Sequence, residues 1–219
     1  MPPLALGVLA SGRGSNLQAL LDACETGGFP ARVRLVVSDV ATAHALERAR
    51  RRGVEARHVD PKGFPSREAF DRAVMEILRE AGVDLVCLAG FMRLLGKAFV
   101  AAWPHRIMNI HPALLPAFPG LHVQRKAVEY GVKISGCTVH FVDEGTDTGP
   151  IIVQAAVPVL DDDTEESLAA RILREEHRIY PQAIRLFAEG RLEVRDRRVM
   201  VRGAAGGAAA PAGALVNPS

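Results

Sequence analysis

Leu4-Ala5-Leu6-Gly7-Val8-Leu9-Ala10 runs straight into Ser11-Gly12-Arg13-Gly14-Ser15-Asn16, and then into Leu17-Gln18-Ala19-Leu20-Leu21. A short apolar run, a glycine turn and a stretch with leucines at i, i+3 and i+4 make a strand–loop–helix unit. Further strand patterns follow at residues 32–38, 55–59, 84–89 and 106–110. Helical patterns lie between them at 15–25, 43–52, 66–80 and, more briefly, 96–102. Strands apolar on both faces and alternating with helices predict an α/β fold with parallel strands. The class expected is a Rossmann-like mixed, mostly parallel sheet with helices on both faces. Such sheets bind ligands beyond the carboxyl ends of their strands.

The second half reads differently. Residues 135–142 and 150–159 are β-rich and joined by the turn-like stretch Asp143-Glu144-Gly145-Thr146-Asp147-Thr148-Gly149. So short a connection favours antiparallel pairing. Asp163 and Glu166 have capping-box spacing and open a long helical pattern through about Ala188, which Pro181 is expected to kink or split. A hairpin is expected near residues 192–201. One domain is expected over residues 1–202, and the Gly/Ala/Pro-rich stretch 203–219 is expected to be disordered.

With 219 residues, 48% of them hydrophobic and 24% charged, the chain can bury an ordinary core. A net charge of +2 gives no argument for nucleic acid. No apolar run reaches the ~20 residues of a membrane helix. The cysteines Cys24, Cys87 and Cys137 are odd in number and lack CxxC spacing. They are expected to be reduced residues of a cytoplasmic protein. His111, His122 and His140 have neither HxxxH spacing nor a cysteine partner, so no metal site is expected.

The glycine loop lies where helix-opening amides hold phosphate. It lacks the Gly-Lys-Ser/Thr of a Walker loop, and Leu17 occupies the third glycine position of the dinucleotide fingerprint. Ser15 with Gln18 has capping-box spacing. A single phosphate suits the loop better than a dinucleotide, and an oxidoreductase with Asp39 on the ribose ranks low.

Asn109 and His111 fall at alternate positions of a strand, so they face one side. Pro112 biases His111 towards extended geometry and away from helix. A carboxamide beside an imidazole at a strand end suits stabilisation of an oxyanion. Asp147, brought beside His111, would favour the charged ring.

Together, Ser11-Gly-x-Gly-Ser-Asn16, Asp84–Leu95, Asn109-Ile-His-Pro-x-Leu-Leu-Pro116, Phe118-Pro-Gly-Leu-His122, His140-Phe-Val142 and Asp147-x-Gly-Pro-Ile151 resemble the folate-dependent phosphoribosylglycinamide (glycinamide ribonucleotide) formyltransferases. The resemblance runs from Leu4 to about Gly190. It implies that Gly14, Ser15 and Asn16 hold the phosphate and that Glu176 contacts the ribose. It implies that 10-formyltetrahydrofolate, a co-substrate needing no metal, lies along Met92, Arg93, Leu94 and Leu95, near Arg67 and Asn109. Asn109, His111 and Asp147 match the catalytic trio, and Leu115-Pro116 matches a cis bond. Leu173 stands where some relatives have a polar sugar-contacting residue, and Arg13 replaces a common Asn. The partners implied are glycinamide ribonucleotide and folate, with no nucleic acid and no membrane, the protein being monomeric or homodimeric. The alternative is a formyltetrahydrofolate hydrolase. Hydrolases and methionyl-tRNA formyltransferases usually carry extra domains, whereas this chain opens on its first strand.

Overall fold

A computed structural model describes residues 2–203. The expected tail, apart from Gly203, lies outside the described residues. The chain forms two compact units, one up to Asn109 and one from Ile110 onward.

The first unit is the parallel one. Strands β1 (Leu4–Leu9), β2 (Ala31–Ser38), β3 (Glu55–His58), β4 (Leu85–Leu88) and β5 (Ile107–His111) pair in the order β3-β2-β1-β4-β5. β1 and β4 are buried along nearly their whole length, as strands covered on both faces must be. From β1 the chain winds outward to β2 and β3, then returns to place β4 on the other side of β1. The direction of winding therefore reverses between β1 and β4, the position where open α/β sheets form a ligand crevice.

The helices are α1 (Ser15–Glu25), α2 (His44–Arg51), α3 (Arg67–Glu80) and α4 (Lys97–Ala102). Leu17, Leu20 and Leu21 form the buried stripe of α1. Ser66 caps α3 by accepting from the Ala69 amide at 3.2 Å. The expected Ser15–Gln18 capping box is not formed. Gly14 is the N-cap, at φ 70° and without a side-chain bond. Gln18 instead donates to Asp22 at 2.8 Å and accepts from Arg48 at 3.0 Å. The reason is packing: a Cβ on Gly14 would stand 2.8 Å from the Ala45 Cα of α2, so only glycine lets the loop lie there.

The second unit contains α5 (Val123–Tyr130), β6 (Ile134–Phe141), β7 (Ile151–Pro158), α6 (Glu165–Ala188), β8 (Leu192–Arg195) and β9 (Arg198–Val201). β6 and β7 are antiparallel, as the short acidic turn predicts, with a register shift between Val139 and His140. β8 and β9 make the expected hairpin, and β9 meets β7 in parallel at Ile151–Arg198.

Two expectations for α6 need correction. Its capping box is Thr164–Ser167, in which the Thr164 side chain accepts from the Ser167 amide and Ser167 Oγ from the Thr164 amide. Asp163 is drawn off by the Arg171 guanidinium, at 2.6 and 2.9 Å, which holds its carboxyl far below the usual range. The helix also runs unbroken through Pro181. Ile172, Ile179, Tyr180, Ala183 and Ile184 are fully buried around the proline, and that burial outweighs a cost of about 3 kcal/mol.

Candidate active site

In the first unit, α2 sets the shape of the glycine loop. The Ala45 amide donates to Gly12 O at 3.1 Å, and Arg48 Nε donates to Arg13 O at 2.9 Å. In a trans peptide the carbonyl and the following N–H point opposite ways. With the Gly12 and Arg13 carbonyls turned to α2, the Arg13 and Gly14 amides point away from it. Backbone amides aimed outward at a helix start form a seat for an anion. Ser15 and Asn16 are half-exposed at the start of α1.

The residues expected on the folate side also lie within this unit. Met92 and Leu94 are 63% and 60% exposed, an apolar lip beyond the end of β4. Arg93 lies over the Phe70 ring, 5.1 Å from its centroid. Arg67 opens α3 with Nε 4.0 Å from Asp71 Oδ2. Asp71 in turn accepts from the Gly96 amide at 2.7 Å, which ties the 91–96 loop to α3. Burial pushes the Asp71 carboxyl up, against the pull of the Gly96 amide and Arg67.

Asn109 and His111 occupy alternate positions of β5, as the spacing predicts. In the second unit, His111 and Asp147 meet: Nδ1 is 3.4 Å from Asp147 Oδ2, and both side chains are largely buried. The other ring nitrogen, Nε2, lies 2.9 Å from the Phe118 carbonyl. A carbonyl only accepts, so Nε2 carries a proton. The ring thus faces oxygen at both nitrogens, tightly at Nε2 and with slack at Nδ1.

Asp147 is itself fixed. Oδ2 accepts from the Gly120 amide at 2.8 Å, and Oδ1 lies 3.7 Å from His140 Nε2. His140 is buried and its pKa is lowered, chiefly by desolvation, while the Phe141 carbonyl and Asp147 oppose the shift. Asp147 sits at φ 55° and Phe118 at φ 51°, backbone conformations that cost non-glycine residues energy and cluster at functional sites. Gly149 makes the turn possible, since a Cβ there would stand 1.8 Å from the Phe141 carbonyl.

Behind His111, the segment 113–115 is clamped. Thr138 Oγ1 donates to Ala113 O at 2.7 Å and accepts from the Leu115 amide at 3.0 Å. Gln154, paired with Thr138 across β6 and β7, donates to Leu115 O at 2.9 Å and to Thr138 Oγ1 at 3.0 Å. Leu115-Pro116 is cis, as the resemblance implies.

Gly14, Ser15, Asn16, Arg67, Met92, Arg93, Leu94 and Leu95 all belong to the first unit. Asn109 is its last residue, and His111, Asp147 and Glu176 belong to the second. Glu176 is buried in the middle of α6, 6% exposed, and its charge adds to the burial that raises the Cys137 thiol. Leu173, on the same helix, is half-buried. Phe118 and Gly120, which anchor His111 and Asp147, escaped sequence reading as functional residues. So did Thr138 and Gln154. The Phe-Pro-Gly run was visible, but nothing in it announces that a carbonyl and an amide serve the site.

Cys24, Cys87 and Cys137 are free thiols, the last two buried. Among the described residues no helix is long and apolar enough to cross a membrane, and no three ligating side chains converge as a metal group.

An α/β scaffold with a held imidazole–carboxylate pair at a strand end has the parts of an enzyme that works by acid–base and oxyanion chemistry. A family model described as formyl transferase matches residues 5–184, and the chain belongs to that family. The phosphoribosylglycinamide formyltransferase of Escherichia coli K12 is 46% identical, over 90% of this chain and 92% of that one. A trifunctional purine biosynthetic protein, adenosine-3, of Drosophila melanogaster is 52% identical over 84% of this chain, but the match spans only 14% of that protein. The crystal structure of glycinamide ribonucleotide transformylase 1 from Symbiobacterium toebii superimposes with a TM-score of 0.90 at 63% identity, over 91% of this chain and 94% of that one.

Proposed function

We propose that this chain transfers the formyl group of 10-formyltetrahydrofolate to the amine of glycinamide ribonucleotide, giving formylglycinamide ribonucleotide and tetrahydrofolate in cytoplasmic purine synthesis. The observation that carries the reading is the His111–Asp147 pair with its two anchors, Phe118 and Gly120. The named activities of relatives matching nearly end to end support it. The ribonucleotide phosphate sits on Gly14, Ser15 and Asn16, with Glu176 on the ribose. The folate lies along Met92, Arg93, Leu94 and Leu95, with Arg67 and Asn109 contributing contacts.

In the reaction the amine attacks the formyl carbon, and negative charge collects on the formyl oxygen. The Asn109 amide and the His111 ring donate to that oxygen. Nε2, held by the Phe118 carbonyl, keeps the ring in place, and Asp147 balances its charge. Preorganised donors of this kind are worth ~10²–10³ each in turnover. The amine then loses a proton and the folate nitrogen gains one as the C–N bond to the carrier breaks, with water as the carrier of the proton. No step calls for a metal ion.

The test is release of tetrahydrofolate from purified protein, with each ingredient omitted in turn. Release that requires both ligands supports the transfer. Release without the ribonucleotide supports the formyltetrahydrofolate hydrolase instead.

A further inference from the structure

The winding of the first unit reverses between β1 and β4, so the segments leaving those two strands form the lips of one crevice. One lip is the glycine loop, beginning at Ser11. The other is the loop from Gly90 to Gly96 that carries Met92 and Leu94. The hydroxyl and the amide of Ser11 both bridge them. Ser11 Oγ donates to Asp39 Oδ1 at 2.6 Å and accepts from the Met92 amide at 2.9 Å. The Ser11 amide donates to Gly90 O at 3.0 Å. Asp39, just past β2, therefore orients the Ser11 hydroxyl, and the oriented lone pair holds Met92.

A hydroxyl has one proton. Once that proton is committed to Asp39, the oxygen faces Met92 as an acceptor. The glycine loop cannot shift without pulling the Met92 amide with it, because Ser11 belongs to the first and grips the second. The loop's other end is fixed by α2 at Gly12, Arg13 and Gly14.

We infer that Ser11 and Asp39 are positioning residues that couple the two lips of this crevice, so that an anion seated on the glycine loop tightens the folate seat at Met92–Leu95. The inference rests on the functional reading above and adds communication between its two ligands. Binding linkage is reciprocal, so the folate also tightens the ribonucleotide by the same factor. One hydrogen bond of ordinary strength can transmit about a fivefold effect.

The experiment titrates glycinamide ribonucleotide into the full chain calorimetrically, with and without saturating tetrahydrofolate, which has no formyl group to give. In the wild type, tetrahydrofolate should lower the ribonucleotide Kd about fivefold. In Ser11→Ala and Asp39→Ala the factor should fall towards one, the Ser11 amide bond to Gly90 alone remaining, while thermal melts stay near the wild type. Asp39→Asn keeps an acceptor oxygen for the hydroxyl and should restore the coupling, a rescue that a general loss of structure would not give. An equal factor in wild type and Ser11→Ala, or none in the wild type, overturns the inference while leaving the functional reading intact. Failure of either ligand to bind the wild type overturns both.

Discussion

Replacing Thr138 by Val keeps the volume of the side chain and removes only its hydroxyl. That hydroxyl makes three hydrogen bonds: to Ala113 O, from the Leu115 amide and from the Gln154 amide. Thr138 is fully buried, and Ala113 and Leu115 are 1% and 5% exposed, so water cannot replace what is lost. Gln154 retains its second bond, to Leu115 O. The Ala113 carbonyl and the Leu115 amide are left unsatisfied, at about 1–3 kcal/mol each, or about 2–6 kcal/mol together. With no cavity made, nothing more is added, and a domain stable by about 5–15 kcal/mol survives with a reduced margin. Urea unfolding should show a lower midpoint at an unchanged m-value. Thr138→Ser keeps all three bonds and loses one methyl, so it should cost only about 1 kcal/mol. A Thr138→Val protein within about 0.5 kcal/mol of wild type would refute the claim that this clamp is made and sealed from water.

Three other outcomes follow from the geometry. His111→Ala and Asp147→Asn should each keep the fold, by circular dichroism, and lose ~10²–10³ in kcat, since each disturbs one preorganised donor; near-normal formyl transfer by either variant contradicts the assignment. Gly14→Val should weaken ribonucleotide binding and lower the melting temperature, because the site requires φ 70° and the Cβ meets Ala45; unchanged affinity in a titration counts against the loop. His140 is buried with its charged form disfavoured, and the groups facing it are Asp147, His111 and Asp143. Its unfolded ring takes up a proton near pH 6.5 and its folded ring only below that, so it contributes stability above pH 6.5 that is lost as the pH falls. Urea midpoints at pH 8 and pH 5 should therefore differ less in His140→Gln than in the wild type, and equal differences would contradict the burial argument.

The parallel half of the fold was legible because its strands are apolar on both faces. Residues 4–10, 32–38 and 84–89 were set off from their helices by period alone, and β1, β2 and β4 fall within them to a residue or so. Cap positions were less legible. Ser15–Gln18 and Asp163–Glu166 have the right spacing, yet Gly14 is fixed by Ala45, and Asp163 by Arg171, both from elsewhere in the chain. Pro181 marks a break in local propensity that the buried residues around it override. At the site, the alternation of Asn109 and His111 followed from strand geometry, and the meeting of His111 with Asp147 followed from the family resemblance. The anchors Phe118 and Gly120 act through backbone atoms, which every residue has, so no side-chain pattern could announce them. The Ser11–Asp39 contact spans 28 positions and the Ser11–Met92 contact 81, beyond any local periodicity.

The most direct measurement follows an isotopically labelled formyl carbon by nuclear magnetic resonance, from labelled 10-formyltetrahydrofolate mixed with glycinamide ribonucleotide and the purified chain. The label should arrive as a formamide on the ribonucleotide, and should stay on the folate when His111 is replaced by Ala. Label appearing as free formate, or transfer that proceeds unimpaired without the His111 imidazole, would contradict the chemistry assigned to this site.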